Sequence, residues 1–408
     1  MSENKGLYIH IPFCKRKCPY CDFYSISDLS LKKDFIEALA VEIQLKSDLS
    51  DLSDLSDLSN LKDKFDTIYI GGGTPSLMAP DDIEKILILI NNFFTITSDP
   101  EITIEINPGT VDQEYFSNIK AIGINRINLG IQSFQENKLK FLKRIHSADQ
   151  AKKAIDRAIN AGFKNIGLDL IYGLPGENKQ HWIADINTAL DFSPSHLSCY
   201  MLTYEPGTKM YNDRQNGIIT PLNEDITADL FMATSRHLTE NHGFFHYEIS
   251  NFASDKTTRS IHNQKYWSGI PYLGLGPSAH SFDTETRSWN LKDVKKYIEL
   301  LKTGNLPVLD KERLSCQQKI VEMVMLGLRT NQGVNFKRFE ELTGKKFISC
   351  FKSVIESREL KSMGVIDREN FHLTLKGMLF LDSITALFVD KIFKEGVKNE
   401  GICSGLYG

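Results

Sequence analysis

The 408-residue chain reads as an α/β protein: six β-α units in series form a partial parallel barrel, (β/α)6, ahead of a smaller, mainly helical C-terminal domain of winged-helix-like pattern. Two observations predict this. Short β-rich apolar runs alternate six times with stretches of helical period, and such a series implies parallel βαβ units. Past Leu314 the alternation stops, and three helical patterns lead into a short hairpin pattern.

Residues 6–11 alternate and make the first strand. A helix over 31–46 follows, with Phe35, Leu39 and Ile43 recurring on one face. Residues 47–61 repeat Ser-Asp-Leu. A period of three fits neither the roughly 3.6 of a helix nor the 2 of a strand, so a solvated insertion without function is expected there. Strand 65–70 leads through a glycine run to a helix over 80–94. The series continues with strand 101–106, helix 112–122, strand 126–131, helical residues 137–161, strand 165–170, helix 180–190 and strand 197–202. The barrel thus occupies 1–205, an extension 206–313, and the C-terminal domain 314–408. In the last of these, helices are expected over 317–328, 336–342 and 351–360, and the hairpin over 365–367 and 371–375. A lid or partner-docking role suits it better than reading nucleic acid, which would gather Lys and Arg on one helix.

Composition narrows the function classes. With 41% hydrophobic and 25% charged residues and a net charge of -4, the chain has a globular composition and gives no reason to expect a nucleic-acid partner. No transmembrane segment is expected, since the longest apolar run covers only 86–90, and the N-terminus lacks a signal-type apolar region. Seven cysteines, three clustered and Cys199, Cys316, Cys350 and Cys403 scattered, make no disulfide framework. The scattered four read as small buried hydrophobes, and a cytoplasmic location is expected.

The chemistry starts at Cys14-x3-Cys18-x2-Cys21, directly after the first strand. Three thiolates can wrap a metal centre but leave a fourth ligand position open. A 4Fe-4S cluster with one open iron and a zinc site completed by His10 both fit that count. One β-α unit later, Gly71, Gly72 and Gly73 precede Thr74 and Pro75, and successive glycines let a backbone approach a ligand closely. Glu105, Gln132 and Asp169 lie in or just past otherwise apolar strands, at the edge where barrels gather their chemistry. Buried carboxylates need partners, so they either bind a ligand or brace neighbouring loops.

The cysteine spacing, with an aromatic residue before Cys21, resembles the radical S-adenosylmethionine (SAM) superfamily. Tyr8-Ile-His-Ile-Pro-Phe-Cys, Gly-Gly-Gly-Thr-Pro, Glu105-Ile-Asn-Pro, Gly130-Ile-Gln-Ser-Phe and Asp169-Leu-Ile-Tyr-Gly-Leu-Pro look like the oxygen-independent coproporphyrinogen III oxidase group. The resemblance implies a 4Fe-4S cluster on Cys14, Cys18 and Cys21, and SAM contacts from Tyr8, Gly72, Gly73, Thr74, Glu105, Gln132, Arg144 and Asp169. Arg144 offers a fork for the SAM carboxylate, but a solvated basic helix end is an equally good reading. Two departures argue against oxidase activity. The oxidases have a further cysteine where Phe23 stands, and a longer segment ahead of the triplet than the thirteen residues here.

His262-Asn-Gln-Lys-Tyr266-Trp267 resembles the H-N-x-x-Y-W motif of a sister family, the HemW haem chaperones. That resemblance implies a porphyrin near His262, Tyr266 and Trp267, with a His able to ligate haem iron and flat rings to pack on the macrocycle. A hydrogen-bonded structural histidine among core aromatics is the competing reading. His10 is a further candidate haem or cluster-side ligand or a brace for the loop, and His280 is a weaker candidate. The expectation is therefore a chaperone that binds a cluster, SAM and haem and delivers haem to an acceptor protein, membrane-associated acceptors included. The alternative is the oxidase itself, decarboxylating porphyrinogen propionates.

Overall fold

The computed structural model describes residues 4–53 and 64–394. Its spine is six strands, β1 (Lys5–Ile11), β2 (Lys64–Gly72), β3 (Thr95–Ile106), β4 (Arg126–Gln132), β5 (Asn165–Tyr172) and β6 (His196–Met201), each parallel to the next in chain order. The expected partial barrel is thus present. The helices between the strands cover one face. Against them Leu7, Ile9 and Ile11 of β1 and Ile68 and Ile70 of β2 are buried in one apolar core. The alternate residues, Tyr8 and His10, Thr67 and Tyr69, point to the other face, the barrel interior.

The sheet extends further than the six units. Six shorter strands follow in sequence: β7 (Phe245–Glu248), β8 (Asn251–Ala253), β9 (Tyr272–Leu275), β10 (His280–Phe282), β11 (Thr286–Asn290) and β12 (Val308–Arg313). They complete a twelve-stranded sheet in the order β12-β11-β10-β9-β1-β2-β3-β4-β5-β6-β8-β7. β9 runs parallel to β1, whereas β8 runs antiparallel to β6. The extension therefore walls both sides of the barrel. Glu42, fully buried on the first long helix, fastens one side by accepting from Gly276 N at 2.7 Å, Asn290 Nδ2 at 2.6 Å and the Tyr297 hydroxyl at 2.6 Å.

Three boundaries differ from expectation. The first helix spans Lys32–Ser53, so the Ser-Asp-Leu repeat begins as helix rather than as a loop. A nucleated helix propagates through residues that would not start one, and the repeat holds neither Pro nor Gly. Residues 54–61 of the repeat lie outside the described residues. Between β4 and β5 the helical stretch breaks into Glu136–Phe141 and Ala148–Asn160, the second opened by a Ser147–Gln150 capping box. In the C-terminal region the helices are Cys316–Leu328, Phe336–Thr343 and Phe347–Ile355. The third starts four residues earlier than expected, because Phe347 and Phe351, one helical turn apart, both enter an aromatic core with Phe339, Phe371 and Phe388.

The hairpin β14 (Gly364–Ile366) and β15 (Asn370–Leu373) gains a two-residue strand β13 (Val334–Asn335), which makes the small sheet of a winged-helix-like unit. A further helix, Leu381–Lys394, was not foreseen. Among the described residues no helix is long and apolar enough to cross a membrane. Cys199 is buried, Cys350 is half-buried, and Cys403 lies outside the described residues.

Candidate functional site

β1 delivers the cysteine loop at its C-terminal end, as the strand pattern requires. Phe13 pairs with Ile26, and Cys14 N donates to Ile26 O at 2.9 Å, so the loop closes on itself just past the strand. Cys14, Cys18 and Cys21 are all half-buried. Burial, with the Cys18 and Cys14 thiols alongside, pushes the Cys21 thiol up to about 11, a tendency that a bound cation reverses. His10 fixes the loop. Its Nε2 donates to Tyr24 O at 2.8 Å, which leaves Nδ1 to accept from the Tyr8 hydroxyl at 3.1 Å. With both nitrogens engaged and burial holding its pKa down to about 4, His10 is a brace and has no lone pair left for a fourth zinc bond. Among the described residues no three His, Cys, Asp or Glu side chains gather about a single metal position.

The glycine run passes directly over this loop. Gly73 N donates to Ile11 O at 2.8 Å. A Cβ at Gly73 would lie 2.7 Å from Phe13 O, and one at Gly72, where φ is +107°, would lie 2.7 Å from the His10 ring. The backbone thus comes as close to the cysteine loop as a chain can, which only glycine permits. Thr74 Oγ1 sits 3.2 Å from Cys14 Sγ. Beneath the run, Glu105 accepts from Gly72 N at 3.2 Å and from the Tyr69 hydroxyl at 2.8 Å. Burial pushes Glu105 up to about 7, and the Tyr69 hydrogen bond opposes that rise.

The remaining expected residues meet on the same rim. Gln132, at the end of β4, is held at φ 69°, a left-handed conformation that a non-glycine residue adopts only when its surroundings impose it. Arg144 lies in the break between helices and faces the cysteine loop. One guanidinium nitrogen donates to Gly130 O at 2.7 Å, and the other lies 3.7 Å from Cys18 Sγ and 3.4 Å from the Tyr20 hydroxyl. A solvated helix end does not describe that position. Arg144 Nε is buried without a partner, as is Asp169 Oδ1, while Asp169 Oδ2 accepts from Asn128 Nδ2 at 2.6 Å. Burial raises the Asp169 carboxyl above its ordinary range.

Sequence reasoning missed Arg126, Asn128 and His196, which reach the barrel interior below these groups and line the same cleft. A signal was present. In β4 the residues at 126, 128 and 132 are polar at every second position apart from Gly130, and that period marks one face of a strand.

The His262 motif sits at the floor of the barrel, where only its Asn263 reaches the cleft. It forms the short helix Ile261–Ser268, packed against β1 and β2. His262 is only 1% exposed, its Nδ1 meets Thr67 Oγ1 at 2.8 Å, and its Nε2 meets the Tyr266 hydroxyl at 2.8 Å. Its ring stacks on Tyr69 at 5.1 Å, and burial holds its pKa down to about 3. Trp267 lies under the Arg329 guanidinium at 4.8 Å. The motif therefore plugs the barrel floor behind Tyr69, and of its residues Asn263 lines the cleft whereas His262, Tyr266 and Trp267 do not. His280 stacks on Trp289 at 5.8 Å and also lies outside it.

That cleft, about 1270 Å³ in volume, runs from the cysteine loop over the strand ends to the segment 378–383 of the C-terminal domain. It brings together Cys14, Cys18, Cys21, Gly72, Gly73, Thr74, Glu105, Gln132, Arg144 and Asp169. Tyr8 does not line it; its ring stacks on Tyr69, which does, and its hydroxyl meets His10.

A parallel barrel that offers three cysteines and a glycine run at its strand ends defines the class, and a family model described as the Radical SAM superfamily matches residues 8–189. A second, the HemN C-terminal domain, matches residues 296–380. The chain is 34% identical to the heme chaperone HemW of Bacillus subtilis over 95% of its own length and 100% of that protein's. It is 35% identical to that of Haemophilus influenzae over 94% and 97%. It belongs to the HemW family. Among solved structures, the coproporphyrinogen III oxidase HemN of Escherichia coli superposes with a TM-score of 0.78 over 95% of this chain and 91% of that one, at 21% identity. That likeness is one of fold.

Proposed function

We propose that the chain is a haem chaperone, which holds a 4Fe-4S cluster and SAM in the barrel cleft and passes haem to an acceptor protein. The observation that carries this reading is the convergence of three half-buried cysteines, a glycine cradle and buried, unpartnered polar atoms on one cleft. The residues fit the groups the superfamily implies. Cys14, Cys18 and Cys21 would hold the cluster, whose open iron would take the amino and carboxylate groups of SAM. Arg144 Nε, lacking a partner, suits the SAM carboxylate, and the free Asp169 Oδ1 suits a ribose hydroxyl. Gly72, Gly73 and Thr74 offer backbone to the methionyl end, Glu105 and Gln132 flank it, and Tyr8 keeps His10 and the loop in place.

Placement in the cytoplasm, with membrane contact only through partners, suits a protein that delivers haem to respiratory acceptors. The chaperone names of the relatives, and an exposed Phe23 where the oxidases carry a cysteine, favour carrying a porphyrin over decarboxylating one. Anaerobic reconstitution with iron, sulfide, SAM and haem tests the reading. The wild type should take up cluster iron and give a shifted Soret band, and Cys14→Ala should lose the iron. Absence of a Soret complex, or robust loss of carboxyl groups from coproporphyrinogen III, would overturn it.

A further inference from the structure

We infer that haem seats in the mouth of the cleft, between Phe23, Met201 and Phe380 with Arg214 facing its propionates, and not on the His262 side chain. This inference rests on the chaperone reading. The cleft volume of about 1270 Å³ exceeds the roughly 300–1,000 Å³ of a site for one small molecule. The cysteine loop, the glycine run and Glu105, Arg144 and Asp169 use one wall. The wall beyond β6 is left uncommitted.

Around the mouth three large apolar side chains line the cavity and remain open, Phe23 just past the cysteines at 66%, Met201 at the end of β6 at 47% and Phe380 at 45% exposure. A single exposed apolar residue needs no explanation, but three around one cavity form a patch of the kind that binds something. They come from distant parts of the chain, and the elements that carry them are tied together. Met210 N donates to Pro19 O at 2.9 Å, which ties the segment after β6 to the cysteine loop. Beside Gly173, Met201 and Thr227 border the same space, and the helix Glu224–Arg236 that carries Thr227 packs against Leu375–Met378, just before Phe380.

The polar complement is Arg214, exposed on the same cavity with its guanidinium 5.3 Å from the Tyr204 ring centre, while the Tyr204 hydroxyl is buried without a partner. Haem is a flat apolar disc with carboxylates on one edge. Aromatic and thioether surfaces suit the disc, and a guanidinium suits the carboxylates. At His262, by contrast, both ring nitrogens are already bonded and the ring is packed on Tyr69, so a macrocycle there would have to displace the barrel floor.

Titration of the full-length protein with haemin and with haemin dimethyl ester, whose carboxylates are masked, tests the location by Soret absorbance. Phe23→Ser combined with Phe380→Ser should weaken both probes by at least about tenfold. Arg214→Glu should weaken haemin by about fivefold and leave the ester unchanged. Unaltered affinity in the double variant, or equal losses for both probes in Arg214→Glu, would overturn the location while leaving the chaperone reading intact. A wild type that binds neither probe would overturn both.

Discussion

Replacing Gly72 with alanine should strike the point where the glycine run meets the cysteine loop. The new Cβ would sit 2.7 Å from two atoms of the His10 ring. That ring cannot swing aside cheaply, since Tyr8 holds one nitrogen and Tyr24 O the other. Two costs add. An L-residue at φ +107° carries about 1–3 kcal/mol of backbone strain, and the overpacked ring a further ~1–3 kcal/mol. The sum, about 2–6 kcal/mol, is a large part of a domain's stability. Gly217→Ala separates the two terms, because Gly217 also has positive φ, +69°, but nothing within 4 Å of a Cβ. It should cost only about 1 kcal/mol. Urea unfolding of both variants reads the difference, and iron retention after reconstitution reports whether the loop has shifted with His10. If Gly72→Ala unfolds within about 0.5 kcal/mol of Gly217→Ala, the claim that His10 is clamped is wrong.

Three further outcomes are expected. Glu42→Ala strands the Gly276 amide, Asn290 and Tyr297 in the interior and should destabilise the protein by about 3 kcal/mol in chemical denaturation. Glu105 is raised in the folded state to about 7 from an ordinary 4.5, so the folded protein holds its proton longer than the unfolded one. Its contribution to stability is therefore full below pH 4.5 and falls as pH rises through 7, by up to about 3 kcal/mol. Glu105→Gln should remove that fall, read as the difference between wild-type and variant unfolding free energies at pH 5 and pH 8. Arg144→Lys keeps the charge but loses the planar fork that reaches Gly130 O, and calorimetry should find SAM affinity reduced by about tenfold or more.

The six-unit barrel was legible because its strands are long, apolar and separated by helices with clear periods. The cysteine triplet and the glycine run were legible because their spacing carries chemistry. Strands of three to six residues, such as β8, β10 and β12, leave too short a pattern to separate from loop, and the edges of the sheet were missed for that reason. The position of His262 was hidden differently. Nothing local separates a histidine that meets a ligand from one that fills a floor. Only tertiary contact reveals that Gly6 and Thr67 leave the space that His262 occupies. Arg144 was ambiguous because basic residues near a helix end are commonplace, and only the break at 142–147 turns it toward the cysteines.

β1 lies in the middle of the finished sheet, between β2 and β9. These neighbours are made at very different times, since β2 begins at Lys64 and β9 only at Tyr272. While the chain is being synthesised, the strand that carries the cysteine loop is therefore an edge, with its row of amides and carbonyls on one side open to any other extended segment. Chains cut short before Ile261 would lack both the floor helix and β9 and keep that edge exposed, so truncation is a direct route from this fold to strand-mediated aggregation.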